Sequence, residues 1–150
     1  YRYGCNALGW IDPLGLTCNA TIKRGANNEI LTVQAKVTLA DIGTGTGTNA
    51  SSRALARSMG NATDDAGHTI GRQLGGKGGV GEVFPQDLHV NRGQFAQFEN
   101  NVAGYVKTTG NDVNISQTYH YAGGGTRPTS IDYTVSDNAG NVLMNQTFAN

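Results

Sequence analysis

The sequence predicts an α+β domain built on an antiparallel sheet, and three observations carry that expectation. Glycine is abundant, at 22 of 150 residues, and with many Asn and Thr it points to short strands joined by turns. The C-terminal third reads as three strands separated by turn residues. Ahead of them, Phe95, Phe98 and Val102 fall at i, i+3 and i+7, the spacing of one buried helical stripe.

Length predicts one domain large enough to bury its own core. Formal net charge is zero, so no global field draws the chain to nucleic acid or an anionic membrane, and phosphate handling must be local. No apolar run approaches the roughly 18 residues of a membrane span, and the first twenty residues lack the basic-then-apolar pattern of a signal peptide. The expectation is a soluble chain that makes no membrane contact, exported if at all by another route. Cys5 and Cys18 are too few for a disulfide framework and lack neighbours at zinc spacing, so two unpaired thiols are expected.

The opening, "YRYGCNALGWIDPLGL", is aromatic and turn-rich and gives way at Thr17 to a polar segment. It resembles the end of the core of rearrangement-hotspot (Rhs) and related YD-repeat proteins, in which Asp12, Pro13, Gly15 and Leu16 match the closing D-P-x-G-L stretch. The resemblance implies that residues 1–16 are the tail of such a shell. It also implies a cleavage between Leu16 and Thr17 and a variable toxic domain over 17–150.

Along that domain, "EILTVQAKVTL" (Glu29 to Leu39) has the strand period. "SSRALARSM" (Ser51 to Met59) offers a Ser cap before helix formers and is ended by Gly60. A helix is predicted over Asn91 to Val106, beginning at its Asn. Three strands follow in "DVNISQTYHYAGG", "TSIDYTVSD" and "NVLMNQTFAN", with turns at Gly123 to Pro128 and Asp137 to Asn141.

Two glycine runs imitate cofactor cradles. "GGKGGVGEV" (Gly75 to Val83) lacks the Lys and Ser or Thr that a P-loop places after its last glycine, with Glu82 and Val83 in their stead, so a nucleotide site is excluded. "DIGTGTG" (Asp41 to Gly47) stands between strand and helix as a methyltransferase turn would, but too little chain follows for a many-stranded parallel sheet. Both are read as flexible connectors.

Chemistry gathers between and after these runs, in "TDDAGHTIGRQLGG" and "EVFPQDLHVNRGQFAQFEN". The pattern is a His after an Asp-containing turn, a loop, a short strand, then a helix. Asn91 and Glu99, eight residues apart, would lie roughly 80° apart around an α-helix and face one side. One His, one amide and one carboxylate make a poor zinc site but suit a mostly hydrated Mg²⁺ or another divalent cation. A neutral imidazole is suited to deprotonating water. A base and a cation together are what phosphodiester hydrolysis needs.

These stretches also resemble the DNA/RNA non-specific endonucleases of the ββα-metal (His-Me finger) class, particularly their bacterial toxin branch. "TRPTSIDYTV" and the closing Phe148 and Asn150 extend the resemblance from about Val33 to the end. It implies an antiparallel sheet with a ββα-metal finger, in which His68 is the general base and Asn91 a metal ligand. It further implies that Glu99 holds metal-bound water, and that Asp65 and Gly67 form the turn presenting His68. Ala66 departs from the usual Gly or Arg, removing a possible phosphate contact, and Glu82 brings a negative charge towards the site.

Of the basic residues nearby in sequence, Arg72, Arg92, Lys77 and Arg127, the first and second are candidates for gripping the scissile phosphate by bidentate hydrogen bonds. Gln86 is a candidate substrate contact or hydrogen-bonding support, and His89 and His120 are read as structural. The implied function is a metal-dependent endonuclease acting on DNA or RNA. It would be the secreted toxic effector domain of an Rhs-type protein, delivered to a target cell's cytoplasm and neutralised in its producer by a cognate immunity protein. The alternative is an effector on the same Rhs shell that binds and blocks a target component without cutting.

Overall fold

A computed structural model describes residues 20–150; the cleavage site expected at Asp12, Leu16 and Thr17 and both cysteines lie outside the described residues. Strand alternation builds most of the fold. β1 (Thr21–Arg24), β2 (Ile30–Val37), β5 (Val113–His120), β6 (Ser130–Ser136) and β7 (Val142–Ala149) form one antiparallel sheet in the order β1-β2-β5-β6-β7. Val33, Ala35 and Val37 of β2, Val113 and Ile115 of β5, and Ile131, Tyr133 and Val135 of β6 point to one buried face.

Against that face packs α3 (Ala96–Thr109), with the predicted stripe of Phe95, Phe98 and Val102 buried and continued by Val106. Phe98 meets Tyr133 at 4.7 Å between ring centroids and Phe95 meets Phe148 at 4.9 Å. Such pairs add about 0.5–1.5 kcal/mol each beyond area burial.

A second, two-stranded sheet pairs β3 (Asp65–His68) with β4 (Val83–Gln86), Asp65 opposite Gln86 and His68 opposite Val83. β3, β4 and the helical stretch after them make the ββα unit. α1 (Ala50–Met59) packs on this hairpin through Ala56, which clusters with Ala66 and Val83. Its cap is Asn49, whose side chain accepts from the Ser52 amide at 2.9 Å; the expected Ser51 cap is two residues too late.

Two further expectations are corrected. Asp65 and Gly67 lie in a strand, because pairing with β4 overrides the weak strand propensity of Asp-Ala-Gly-His. The helix also starts before Asn91. Asp87 caps α2 (Leu88–Val90) by accepting from the amides of His89 and Val90, and a π-helical turn over Asn91–Phe95, kinked at Gly93, leads into α3.

The C-terminal motif residues tie the ββα unit to the sheet. Arg127 forms a bidentate pair with buried Asp64 (2.7 and 2.9 Å) and donates to the Asn150 carbonyl. The Asn150 side chain accepts from the Asp87 amide and donates to the carbonyls of Pro85 and Pro128. Arg127 is thereby committed to the fold.

Candidate active site

His68 ends β3 half-buried, its Nε2 at 2.8 Å from the Thr46 carbonyl oxygen. A carbonyl only accepts, so Nε2 carries the proton and Nδ1 is left with its lone pair. Burial pushes the imidazole below the ordinary histidine range; the Thr46 carbonyl opposes this and the charge of Arg72 adds to it. The result is a neutral ring of fixed tautomer, with one nitrogen able to take a proton.

Thr46 belongs to the first glycine run; the second run is the expected loop between β3 and the start of β4, but the two runs are not loose connectors. They pack backbone to backbone: Thr46 donates its amide to the Gly76 carbonyl at 3.0 Å, the Gly78 amide donates to Thr46 Oγ1 at 3.1 Å, and Thr48 bridges to Gly78. This approach requires glycine. A Cβ on Gly45 would collide with the carbonyl oxygens of Arg72 and Gly76, and one on Gly78 with the carbonyl of Gly47. The paired runs therefore position the carbonyl that holds His68. Gly78→Ala is expected to lower both cleavage and melting temperature, whereas Gly47→Ala, with open space at its Cβ, should change each far less; equal behaviour of the two variants in paired activity and melting assays would refute the clamp.

Asn91 reaches the same pocket from the π-helical turn. Its Nδ2 donates to Asp65 Oδ2 at 2.9 Å, and Arg92 donates to both Asp65 oxygens at 2.8 Å. Because a carboxylate accepts, the amide nitrogen is the atom facing Asp65, and Oδ1 is left without a hydrogen-bond partner among the described residues. Burial would raise the Asp65 carboxyl, but hydrogen bonds from Arg92 and Asn91 hold it below the usual carboxylate range. Asp65 thus orients the Asn91 amide in addition to lying two residues before Gly67 and three before His68.

A cavity of about 310 Å³ opens over these groups, lined by Thr48, Arg53, Arg57, Asp65, Ala66, His68, Asn91 and Arg92. No group of three or more His, Cys, Asp or Glu side chains able to hold a metal occurs among the described residues. The free Asn91 Oδ1 fits a mostly hydrated hard cation, for which one protein oxygen, waters and substrate phosphate oxygens would complete the shell.

Glu99 lies elsewhere than its spacing implies. Glu99 is 3% exposed and packs into the core, and it is not among the residues lining the cavity. Its Oε2 accepts from the Gly71 amide and from the Tyr133 hydroxyl, both at 2.8 Å, and burial raises its carboxyl to about 8 against those two bonds. Gln86, a candidate substrate contact or hydrogen-bonding support, is fully buried beside Gly67 and so placed for support rather than for substrate. Glu82 is also buried, accepting from the Lys77 amide, so its charge is turned into the loop. Arg72 is exposed on the short 3-10 turn Arg72–Leu74, close enough to act on His68 but outside the cavity lining. Exposed His89 and the His120–Asp132 pair stand outside the cavity lining as well.

Sequence reasoning missed two groups. Gln117 donates to the Thr69 carbonyl and accepts from the Tyr119 hydroxyl, both at 2.6 Å, so with Glu99 it fixes the chain just after His68. An amide at an inward position of an alternating strand was its signal. Arg53 and Arg57 come from α1, spaced i, i+4 on one helical face.

A model of the DNA/RNA non-specific endonuclease family matches residues 26–139. The chain belongs to that family. Within it, the chain is 50% identical over 143 residues to the "Probable deoxyribonuclease RhsA" of Dickeya dadantii (strain 3937), covering 95% of this chain but only 10% of that protein. The family's fold recurs in solved structures. NucA from Streptococcus agalactiae with no metal bound gives a TM-score of 0.64 at 16% identity, over 87% of this chain and 70% of that one. Sda1 nuclease with bound zinc ion gives 0.65 at 13%, over 89% and 76%. NucA with magnesium ion bound gives 0.62 at 12%, over 95% and 76%. The α+β fold with a ββα-metal unit is therefore that of these nucleases.

Proposed function

We propose that this domain is a divalent-metal-dependent endonuclease hydrolysing phosphodiester bonds of DNA or RNA, with His68 as general base and Asn91 as metal ligand. The observation that carries the reading is the convergence of a base of fixed tautomer and an unpartnered amide oxygen in one arginine-rimmed cavity. Mg²⁺ or a similar cation at Asn91 Oδ1 would offset charge on the phosphate and leaving oxygen. His68 Nδ1 takes the proton of the attacking water, and the Thr46 carbonyl stabilises the imidazolium that forms. Arg92 is paired to Asp65 through Nε and Nη2, which leaves Nη1 to donate to a phosphate oxygen. Arg72, outside the cavity lining but close enough for its charge to act on His68, would offset charge on the same phosphate. Glu99, Asp65 and Gln117 act as positioning residues, and Gln86 as packing beneath β3.

The Rhs relative supports a toxic effector role, with an Rhs shell and a cognate immunity protein as partners, delivery to a target cell, and release by cleavage between Leu16 and Thr17. No helix among the described residues is long and apolar enough to cross a membrane. The test is cleavage of supercoiled plasmid and of a long RNA by the purified chain, with magnesium and with chelator. Cutting in magnesium that chelator abolishes is the expected result, and the faster substrate gives the preference. A folded chain that cuts neither overturns the reading in favour of an effector that only binds.

A further inference from the structure

The cavity holds more positive charge than its interior pairings use. Among the described residues Asp65 is its only carboxylate, and Arg92 already engages both oxygens of that group. Arg53 and Arg57 remain. Arg53 is steadied by donating Nη1 to the Thr48 carbonyl at 3.1 Å and to Thr48 Oγ1 at 3.3 Å, with Nε and Nη2 unengaged among the described residues. Arg57 donates to no acceptor among the described residues, and its charge reaches Asp65. Both are exposed, on a face of α1 fixed by the packing of Ala56 against β3 and β4. Four residues of helix separate them by about 6 Å of rise, a spacing of the same order as that of neighbouring phosphates along one strand.

We propose that Arg53 and Arg57 form a phosphate-binding subsite, holding the nucleic-acid backbone beside the bond that His68 attacks. This rests on the nuclease reading and adds to it a track for the strand. Guanidinium groups suit phosphate because their planar donors pair with two oxygens at once. In a chain of zero formal charge, such a local cluster supplies the electrostatic attraction that nonspecific nucleic-acid binding needs. An acidic protein surface could meet the same arginines. Phosphate is favoured because the pair opens into the cavity that holds His68 and Asn91, and a substrate strand must pass there.

The test measures binding of a fluorescently labelled DNA duplex, and of RNA of the same sequence, by His68→Ala protein across a sodium chloride series. Combining R53Q and R57Q should weaken binding on the order of tenfold at physiological salt and make the slope of log K against log salt shallower by about 2 for the duplex. R53K with R57K, which keeps the charges, should retain most of the slope. Lys107→Gln, outside the cavity, should leave it unchanged. With His68 intact, the glutamine pair should raise KM while kcat stays within about twofold. A folded double-glutamine protein with the wild-type salt slope overturns the subsite, as does a loss confined to kcat. Unchanged slope with lost inhibition by the immunity protein assigns the arginines to protein docking instead. Failure of the nuclease reading looks different: folded wild-type protein that cuts neither plasmid nor RNA in magnesium.

Discussion

His68→Ala is expected to lower metal-dependent cleavage by roughly 10²–10⁴-fold, the usual contribution of a positioned general base, with little change in melting temperature. The half-buried ring makes one hydrogen bond, to Thr46, so its loss costs the fold little compared with a core truncation. The pH profile gives an independent readout. Burial and Arg72 depress the imidazole below its ordinary value of 6.5. The base form therefore persists as pH falls through 6.5, and activity should fail only below that. The acid limb of kcat/KM is expected with its midpoint under 6.5, moving up in Arg72→Gln as the opposing charge is removed. Full activity of His68→Ala, or an acid limb above 6.5 that ignores Arg72, would falsify the assignment.

The sheet was legible because its strands bury one face. β2, β5 and β6 show the alternation, β7 was marked by its flanking turns and buries only Phe148, and the Phe95, Phe98 and Val102 stripe marks α3. β3 was not legible, since Asp-Ala-Gly-His has no alternation and becomes a strand only through β4. His68 and Asn91 were read from motif order, and the structure brings them to one cavity. Arg53 and Arg57 gave no local sign, because only the docking of Ala56 turns that helix face towards His68. The glycine runs looked like connectors because composition reports freedom of the chain. What it does not report is two backbones approaching so closely that a Cβ would collide. Glu99 was placed on the side of Asn91 by an α-helical count, which does not report that its carboxylate is held inside by the Gly71 amide and the Tyr133 hydroxyl.

Glu99→Ala is expected to be the most destabilising of the substitutions considered, on the order of 3–5 kcal/mol, because it leaves two buried donors unpaired and opens a cavity. Those donors are the Gly71 amide and the Tyr133 hydroxyl, so the loss loosens the chain after His68 and joins a stability defect to an activity defect. Glu99→Gln keeps an acceptor for both donors and should recover most of the stability. The two variants also separate a charge effect from a packing effect. The folded carboxyl, raised from 4.5 to about 8, keeps its proton where the unfolded one has lost it. The folded state therefore binds more protons in that window, and its contribution to stability is present in full below about 4.5 and lost as pH rises towards 8. Melting temperature of the wild-type chain, measured without metal, should decline across that range, and Glu99→Gln should flatten the decline. If the glutamine variant shows the same slope as the wild type, the buried carboxyl is not the proton-holding group, and the clamp on Gly71 must work through an ionised side chain.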